Sequence, residues 1–318
     1  MEHFREMVTG PIIPTPGAVM ECTKLLYEYL GDLIVLDVGG ATTDLHSVTV
    51  ESDQVARLMI SPEPKAKRTV EGDLGVYVNR WKVVESIGEE KLREQCREQG
   101  FSMEHALETY RAIPKTEEEV KLVELLTREA VVKAAERHAG RLRYIYGPSG
   151  RSTVAEGKDL TQVKYIVGTG GALTRLPHRE EIMREITRCN ESGMLLLPGE
   201  HAQILVDHDY IMASLGVLSK RYPQAAARLL EQSLGITFPE RKAEEPVPVC
   251  NKELSRLETQ RQQREEELQR HIEECEAMGY DMSAYRENKP KAGDCSHECS
   301  RCTRLHCPNR TTQEGASS

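Results

Sequence analysis

The stretch of residues 33–50, LIVLDVGGATTDLHSVTV, constrains the fold more than any other part of the sequence. It opens with four apolar residues, Leu33 to Leu36, as is typical of a buried strand. A β-rich run from Leu45 to Val50 closes it. Two acids, two glycines and two threonines lie between the runs, so the stretch predicts a strand, a tight turn and a second strand.

The residues of this turn are of the kinds that hold a phosphate. The glycine pair lets the backbone turn tightly, and successive bare N–H groups form a concave anion site. Threonine hydroxyls add donors, and two carboxylates beside a phosphate imply a magnesium ion. A plain β-hairpin with a Gly-Gly turn is the alternative, but the acids and hydroxyls favour the phosphate site. The predicted catalytic residues are Asp37, Thr42, Thr43 and Asp44, and the predicted phosphate-binding residues are Gly39, Gly40 and Ala41.

A second glycine turn follows about 130 residues later. A buried strand is predicted over Val163 to Val167, followed by Gly168, Thr169, Gly170 and Gly171, and a helix starts near Pro177. A strand, a glycine turn and a helix N-terminus together make a nucleotide cradle. Arg175 is a candidate to lie over an adenine ring, or else a surface charge near a helix start.

The motifs of both glycine turns resemble those of a known protein family. DVGGATTD resembles the second phosphate motif of the actin-like ATPase superfamily, and YIVGTGGALTRLP resembles its adenosine motif. DVGGATTDLHSV, RTVEGDLGVYVNR and VGTGGALTRLP resemble the MutL (GlmL) family, from about Gly10 to about Pro239. Proteins of that family are accessory factors of adenosylcobalamin-dependent glutamate mutase, unrelated to the mismatch-repair protein of the same name.

The resemblance implies an α/β fold: an actin-like (ribonuclease H-like) ATPase lobe with an inserted helical subdomain. The lobe would span residues 1–69 and 160–239, and the insertion residues 70–159. ATP or ADP and Mg²⁺ would be the ligands, and subunits of a cobalamin mutase the partner, whose damaged cobalamin would be released. Glu71 and Asp73 would face the phosphates or the magnesium, or else complement a helix N-terminus. A first lobe with its own phosphate turn is expected from another chain, or is lost, so turnover by this chain alone should be weak.

The rest of the lobe gives local predictions. A third strand is predicted over residues 55–60, a glycine-punctuated turn over residues 69–80, and helices from Leu74 to Tyr146. Thr116 and Glu119 predict a capping box. His105 and His138 lack partners at metal-ligand spacing and are predicted to be structural. The acids of residues 207–209 predict a loop leading into a capped helix rather than a metal triplet.

The sequence changes character after Pro239. Residues 240–293 predict a charged linker and helix, residues 294–310 a cysteine-rich knuckle, and residues 311–318 a disordered tail. Zinc is the first expectation for the knuckle, an iron–sulfur cluster the second, and four free thiols the third. The predicted ligands are Cys295, Cys299, Cys302 and Cys307.

Bulk composition narrows the function. The net charge of −9 disfavours a nucleic-acid binder built on a basic surface. Apolar runs stay far below the ~20 residues of a membrane span, and the start lacks a signal-peptide pattern. These features predict a cytoplasmic protein. Two other functional classes stay open: an ATPase activating an iron–sulfur dehydratase, and a non-hydrolysing nucleotide-binding module.

Overall fold

The computed structural model describes residues 12–147, 150–190 and 192–239, together with Arg270. Residues 1–241 form one unit and residues 242–318 a second. All of the helices and strands given below belong to the first unit. They make a mixed α/β fold, as the sequence predicts at this level.

Seven strands are present in the described residues. They are β1 Leu33–Val38, β2 Thr43–Val48, β3 Ala66–Glu71, β4 Arg141–Gly147, β5 Gly150–Glu156, β6 Tyr165–Thr169 and β7 Gln203–Val206. Five of them form a central sheet in the order β3-β2-β1-β6-β7. Strand β2 runs antiparallel to both of its neighbours, β3 and β1. Strands β1, β6 and β7 run parallel to one another. The carboxyl ends of β1, β6 and β7 therefore meet at one edge.

Ten α-helices surround this sheet in the described residues. They are α1 Thr15–Leu30, α2 Asp53–Ala56, α3 Arg80–Ile87, α4 Glu89–Glu98, α5 Met103–Glu108, α6 Glu117–His138, α7 Gly170–Arg175, α8 Arg179–Arg184, α9 Met212–Ser219 and α10 Pro223–Leu234. None of these helices is both long enough and apolar enough to cross a lipid bilayer.

Strand β1 is apolar from Leu33 to Leu36 because both of its faces are buried there. Leu33 and Val35 pack with side chains of α1, α9 and α10. Ile34 and Leu36 lie in the larger core cluster on the opposite face, together with α6. A central strand covered on both sides loses its alternation of polar and apolar residues.

Helix α6 crosses the sheet and is held at both of its ends. The predicted capping box is confirmed: Glu119 N donates to Thr116 Oγ1 (3.2 Å), and Glu119 Oε2 accepts from Thr116 N (3.2 Å). His138 is fully buried, and its two ring nitrogens lie 2.8 Å from Ser47 Oγ and 3.0 Å from Thr69 Oγ1. These partners fit the structural role predicted for His138.

Two predictions for residues 52–71 were wrong. The third strand was predicted over residues 55–60, but it is β3, at Ala66–Glu71. Residues 53–56 form helix α2 instead, and Ser52 Oγ accepts from Val55 N at its start (3.3 Å). The apolar residues Val55, Leu58 and Met59 have helical spacing. Residues 69–71, predicted as part of a turn, lie in β3, and α3 begins only at Arg80.

One further prediction fails, at residues 141–146, which were predicted to be helical. The helical region ends at His138, and β4 with β5 forms an antiparallel hairpin. Alternating Leu142, Tyr144 and Tyr146 explain it, because large side chains at every second position suit a strand. The helix predicted near Pro177 is present as α8, which begins at Arg179. A further short helix, α7, begins within the second glycine turn at Gly170 and was not predicted.

Candidate functional site

The turn between β1 and β2 is held through its carbonyl groups. The next segment along the sheet edge, residues 76–79, donates to all three carbonyls from Gly39 to Ala41. The bonds are Val76 N to Gly39 O (3.2 Å), Tyr77 N and Val78 N to Gly40 O (2.9 and 2.7 Å), and Asn79 Nδ2 to Ala41 O (2.7 Å). The N–H groups of Gly40, Ala41 and Thr42 have no acceptor within the described residues. Unpaired N–H groups in succession are the donors that the predicted anion site requires.

Close packing fixes this turn against its support. A Cβ on Gly75 would lie 2.2 Å from the carbonyl carbon and oxygen of Ala41, so only glycine fits there. Thr43 is buried, and its hydroxyl donates to Leu74 O (2.8 Å). The hydroxyl of Thr43 therefore anchors the turn, whereas Thr42 is half-buried.

The second glycine turn touches the first. Asp37 pairs with Thr169 across the parallel strands β1 and β6. Gly170 has a φ of +84°, and a Cβ there would lie 2.5 Å from Asp37 Oδ1 and 2.5 Å from Val38 O. The structure thus brings together Asp37 and the Gly168–Gly171 turn, which are far apart in sequence.

Asp207 links this edge to the helices behind it. Its buried carboxylate accepts from Thr169 Oγ1 (2.8 Å), from Ser233 Oγ (2.5 Å) and from two N–H groups that open α9, those of Ile211 (3.2 Å) and Met212 (3.0 Å). The prediction of a loop leading into a capped helix is confirmed. The sequence did not predict that Asp207 belongs to the site. The signal that could have indicated it was its position directly after the strand predicted at residues 204–206.

Three acids share this end of the sheet, and none of the described cations bonds to them. Burial, with the negative charges of Asp44 and Asp207, raises the pKa of Asp37 to about 6. Burial also raises the pKa of Asp44, although Arg68 and the Thr42 hydroxyl oppose that rise. Asp44 is 3% exposed, and its buried Oδ1 has no hydrogen-bond partner among the described atoms. Buried negative charge in this arrangement favours a bound cation.

Tyr210 lies beside the same acids. It is half-exposed and has a φ of +55°, the only positive φ of a non-glycine residue in the part of the chain described. Burial and the charges of Asp37 and Asp207 raise the pKa of its phenol. The sequence carried no signal for this residue.

The remaining predicted ligands are either bonded to another side chain or exposed. Arg137 bonds to Glu71, the last residue of β3, and to Asp73 just beyond it. Its Nη1 lies 2.6 Å from Glu71 Oε2 and 2.8 Å from Asp73 Oδ1. The bonded guanidinium lowers the pKa of Asp73. Gly171 is exposed, and a Cβ there would meet no atom within 4 Å. Arg175 is exposed at the opposite end of α7 from Gly170.

A magnesium ion fits Asp37 and Asp44 only in part. The like charges and the unpartnered Asp44 oxygen suit a cation, but no group of three or more His, Cys, Asp or Glu side chains within the described ranges could hold a metal directly. Water must therefore complete the coordination, as Mg²⁺ commonly requires.

The four predicted cysteine ligands, and the predicted charged helix and tail, lie outside the described residues.

Comparison with known proteins assigns the chain to a family. A family model described as "MutL protein" matches residues 1–234. "Protein MutL" of Clostridium tetanomorphum is 34% identical over 246 residues, covering 74% of this chain and 53% of the relative. The chain thus spans about half the length of this curated relative. Because the family model covers most of the sequence, both glycine turns included, the chain belongs to the MutL protein family.

Proposed function

We propose that the sheet edge binds the phosphates of ATP or ADP with Mg²⁺, and that the chain serves as an ATP-dependent reactivating factor for an adenosylcobalamin-dependent mutase of the glutamate mutase type. One observation carries the nucleotide part of this proposal. The two glycine turns meet at Gly170 and Asp37, because a Cβ placed on Gly170 would lie 2.5 Å from Asp37 Oδ1. Turns that meet in this way can hold one ligand between them.

The sheet supports an actin-like, ribonuclease H-like lobe. Three antiparallel strands lead into two parallel ones, and the chain between β3 and β6 forms a largely helical insertion. The ligand site lies at the carboxyl ends of parallel strands, where open α/β sheets bind their ligands.

Each element has a role in this proposal. The N–H groups of Gly40, Ala41 and Thr42 would hold the terminal phosphate, where preorganised donors stabilise developing charge. Asp37 and Asp44 would hold Mg²⁺ through water, and the bound ion would neutralise phosphate charge. The backbone of Gly168, Thr169 and Gly170, with α7 behind it, would hold the adenosine side.

The first lobe expected from the family resemblance would close the site from outside the described residues. The phosphate turn is exposed at Gly40 and Ala41, so a bound phosphate would face water on that side. Fixed dipoles stabilise charge much less when water screens them. We therefore infer that a first lobe, on a partner chain or on further sequence, raises both nucleotide affinity and turnover.

The mutase as partner rests on the family. The motif words resemble MutL accessory proteins, and the family assignment agrees with that resemblance. We infer that nucleotide binding and hydrolysis change the contact between this chain and the mutase subunits, so that damaged cobalamin leaves.

Calorimetry of Mg-ADP tests the site, and phosphate release tests the activity. Asp37→Ala should abolish binding, whereas Asp53→Ala, an exposed acid of α2, should leave it unchanged. The single tryptophan, Trp81, gives a second readout by fluorescence. Phosphate release should be negligible for the chain alone and rise with mutase subunits and the first lobe present. Unchanged Mg-ADP binding by Asp37→Ala would contradict the proposed site. Strong hydrolysis by the isolated chain would show that the first lobe is not required.

We further propose one metal ion, zinc before iron–sulfur, at Cys295, Cys299, Cys302 and Cys307. Structural zinc contributes about 10–16 kcal/mol to small zinc-finger peptides at neutral pH. Elemental analysis after anaerobic purification should give about one metal ion per chain. A value far below one would refute the proposal.

A further inference from the structure

The β4–β5 hairpin presents a bare aromatic face. Seven residue pairs join the two strands, from Arg141 and Glu156 to Gly147 and Gly150. Leu142, Tyr144 and Tyr146 share one face because alternate residues of a strand point the same way. Tyr144 is 48% exposed and Tyr146 79% exposed. The apolar stripe thus continues into solvent.

The base of the hairpin is anchored, which distinguishes it from a loose loop. Leu142 and Ala155 pack in a small cluster with Val55 and Leu196. Leu142 N donates to Met194 O (2.7 Å), and Ala155 N donates to Leu58 O (2.7 Å). An isolated two-stranded hairpin is only marginally stable in water. The anchored base therefore holds two large side chains where they add nothing to the core.

The hairpin carries a net positive charge, opposite in sign to the net charge of the whole chain. Residues 141–156 contain three arginines and one glutamate, whereas the whole chain carries −9. Arg151 stacks on Tyr144, with its guanidinium carbon 4.4 Å from the ring centroid. Arg143 pairs with Glu156 (3.0 Å). Tyrosine and arginine are the residues most enriched among those that dominate protein–protein binding energy.

We propose that this hairpin is a docking arm, in which Tyr144, Tyr146 and Arg151 bind an acidic and apolar surface on a mutase subunit. The identity of the partner rests on the function proposed above, whereas its acidic character follows from the arginines. Two hairpins from two copies of the chain would bring arginines together, so pairing of hairpins is disfavoured. The negative net charge of the chain disfavours nucleic acid.

A matched pair of double variants tests the arm. Tyr146→Ser with Arg151→Ser removes an exposed tyrosine and a stacked arginine from the hairpin. Tyr222→Ser with Arg221→Ser removes the same residue types elsewhere, since Tyr222 is 51% exposed and Arg221 lies 5.4 Å from its ring centroid. All forms are assayed as full chains for binding to purified mutase subunits. Thermal melting followed by circular dichroism confirms that each variant is folded.

The hairpin variant should bind the mutase at least tenfold more weakly, and the control variant should bind like the wild type. Raising the salt concentration from about 0.05 to 0.5 M should weaken the wild type more than the hairpin variant, because the arginine charge is then screened. Equal binding by all three forms would overturn the docking arm and leave the proposed function intact. No binding by any form would overturn the mutase partner and the arm with it. Loss of binding only to single-stranded RNA or to anionic lipid vesicles would also overturn the proposal.

Discussion

Two pairs of acids lie at the same end of the sheet and have opposite surroundings. Asp37 and Asp44 face each other across β1 and β2, and Glu71 of β3 pairs with Thr43, beside Asp44. The first pair has no bonded cation, and its pKa values are raised. Glu71 and Asp73 share Arg137, and the pKa of Asp73 is lowered.

The difference shows which acids leave room for a cation. Charge that an arginine already neutralises gains little from a metal ion. Charge that is buried without a partner raises the free energy of the folded protein until a cation binds. Asp37 and Asp44 are therefore the better magnesium candidates. From the sequence, Glu71 and Asp73 were expected either to face the phosphates or the magnesium or to complement a helix N-terminus.

The strongest test separates the two neighbouring glycines of the second turn. Gly170→Ala forces a positive φ on a side chain and places its Cβ 2.5 Å from Asp37 Oδ1. The backbone strain of about 1–2 kcal/mol and the overpacking of about 1–3 kcal/mol can be relieved only by moving Asp37 or the turn. We expect at least about a hundredfold loss of Mg-ADP affinity by calorimetry.

Gly171→Ala is the matched control, because its Cβ meets no atom within 4 Å. Its affinity should stay within about threefold of the wild type. Equal losses in the two variants would mean that the contact between the turns is not what forms the site.

Asp37→Asn removes the unpartnered charge while preserving the shape of the side chain. Mg-ADP should bind about 10–100-fold more weakly, because one carboxylate near the ion is lost. Without ligand, the variant should be more stable than the wild type at pH 7. The folded protein holds the Asp37 proton up to about pH 6, against an ordinary pKa of 3.8, so ionisation costs stability as the pH rises. We expect a gain of about 1–3 kcal/mol in urea unfolding at pH 7, and a smaller gain at pH 4. A less stable variant at pH 7 would contradict the raised pKa.

The same carboxyl predicts a pH dependence of binding. In the proposed site the ionised form of Asp37 binds Mg-ADP, so protonation below its pKa of about 6 should weaken binding. The loss between pH 7 and pH 5 should be about tenfold. The phosphates of ADP also titrate, so the quantity to measure is the difference between the wild type and Asp37→Asn. Calorimetry in buffers of different ionisation enthalpy should show about half a proton more released by the wild type at pH 6. Equal proton release by both forms would mean that the pKa of Asp37 does not lie near 6.

The sequence predicted the elements of the site better than their surroundings. The apolar run before Asp37 and the glycine pair after it could indicate a buried strand and an anion turn, because both signals are local. The contact between Gly170 and Asp37 could be expected from two turns of related kind. Arg137 could not be found, because it lies 64 residues from Asp73 in a helix rich in charged residues. The hairpin was predicted as helix because the capped helix before it hid the alternation of Leu142, Tyr144 and Tyr146.

Arg137→Met tests the other half of the comparison and should have the smallest effect. The acids it bonds are partly exposed, so the loss of stability should be below about 1 kcal/mol. Glu71 and Asp73 would then carry uncompensated charge beside Asp44, whose pKa the charge of Glu71 already raises. Added negative charge repels phosphate, so Mg-ADP affinity should fall about two- to fivefold. Arg137→Lys keeps one positive charge and should recover most of the affinity, although it loses the forked contact. If Arg137→Met instead bound Mg²⁺ alone more tightly and Mg-ADP at least as well, Glu71 and Asp73 would be usable metal ligands. The distinction between the two acid pairs would then depend on Arg137 alone.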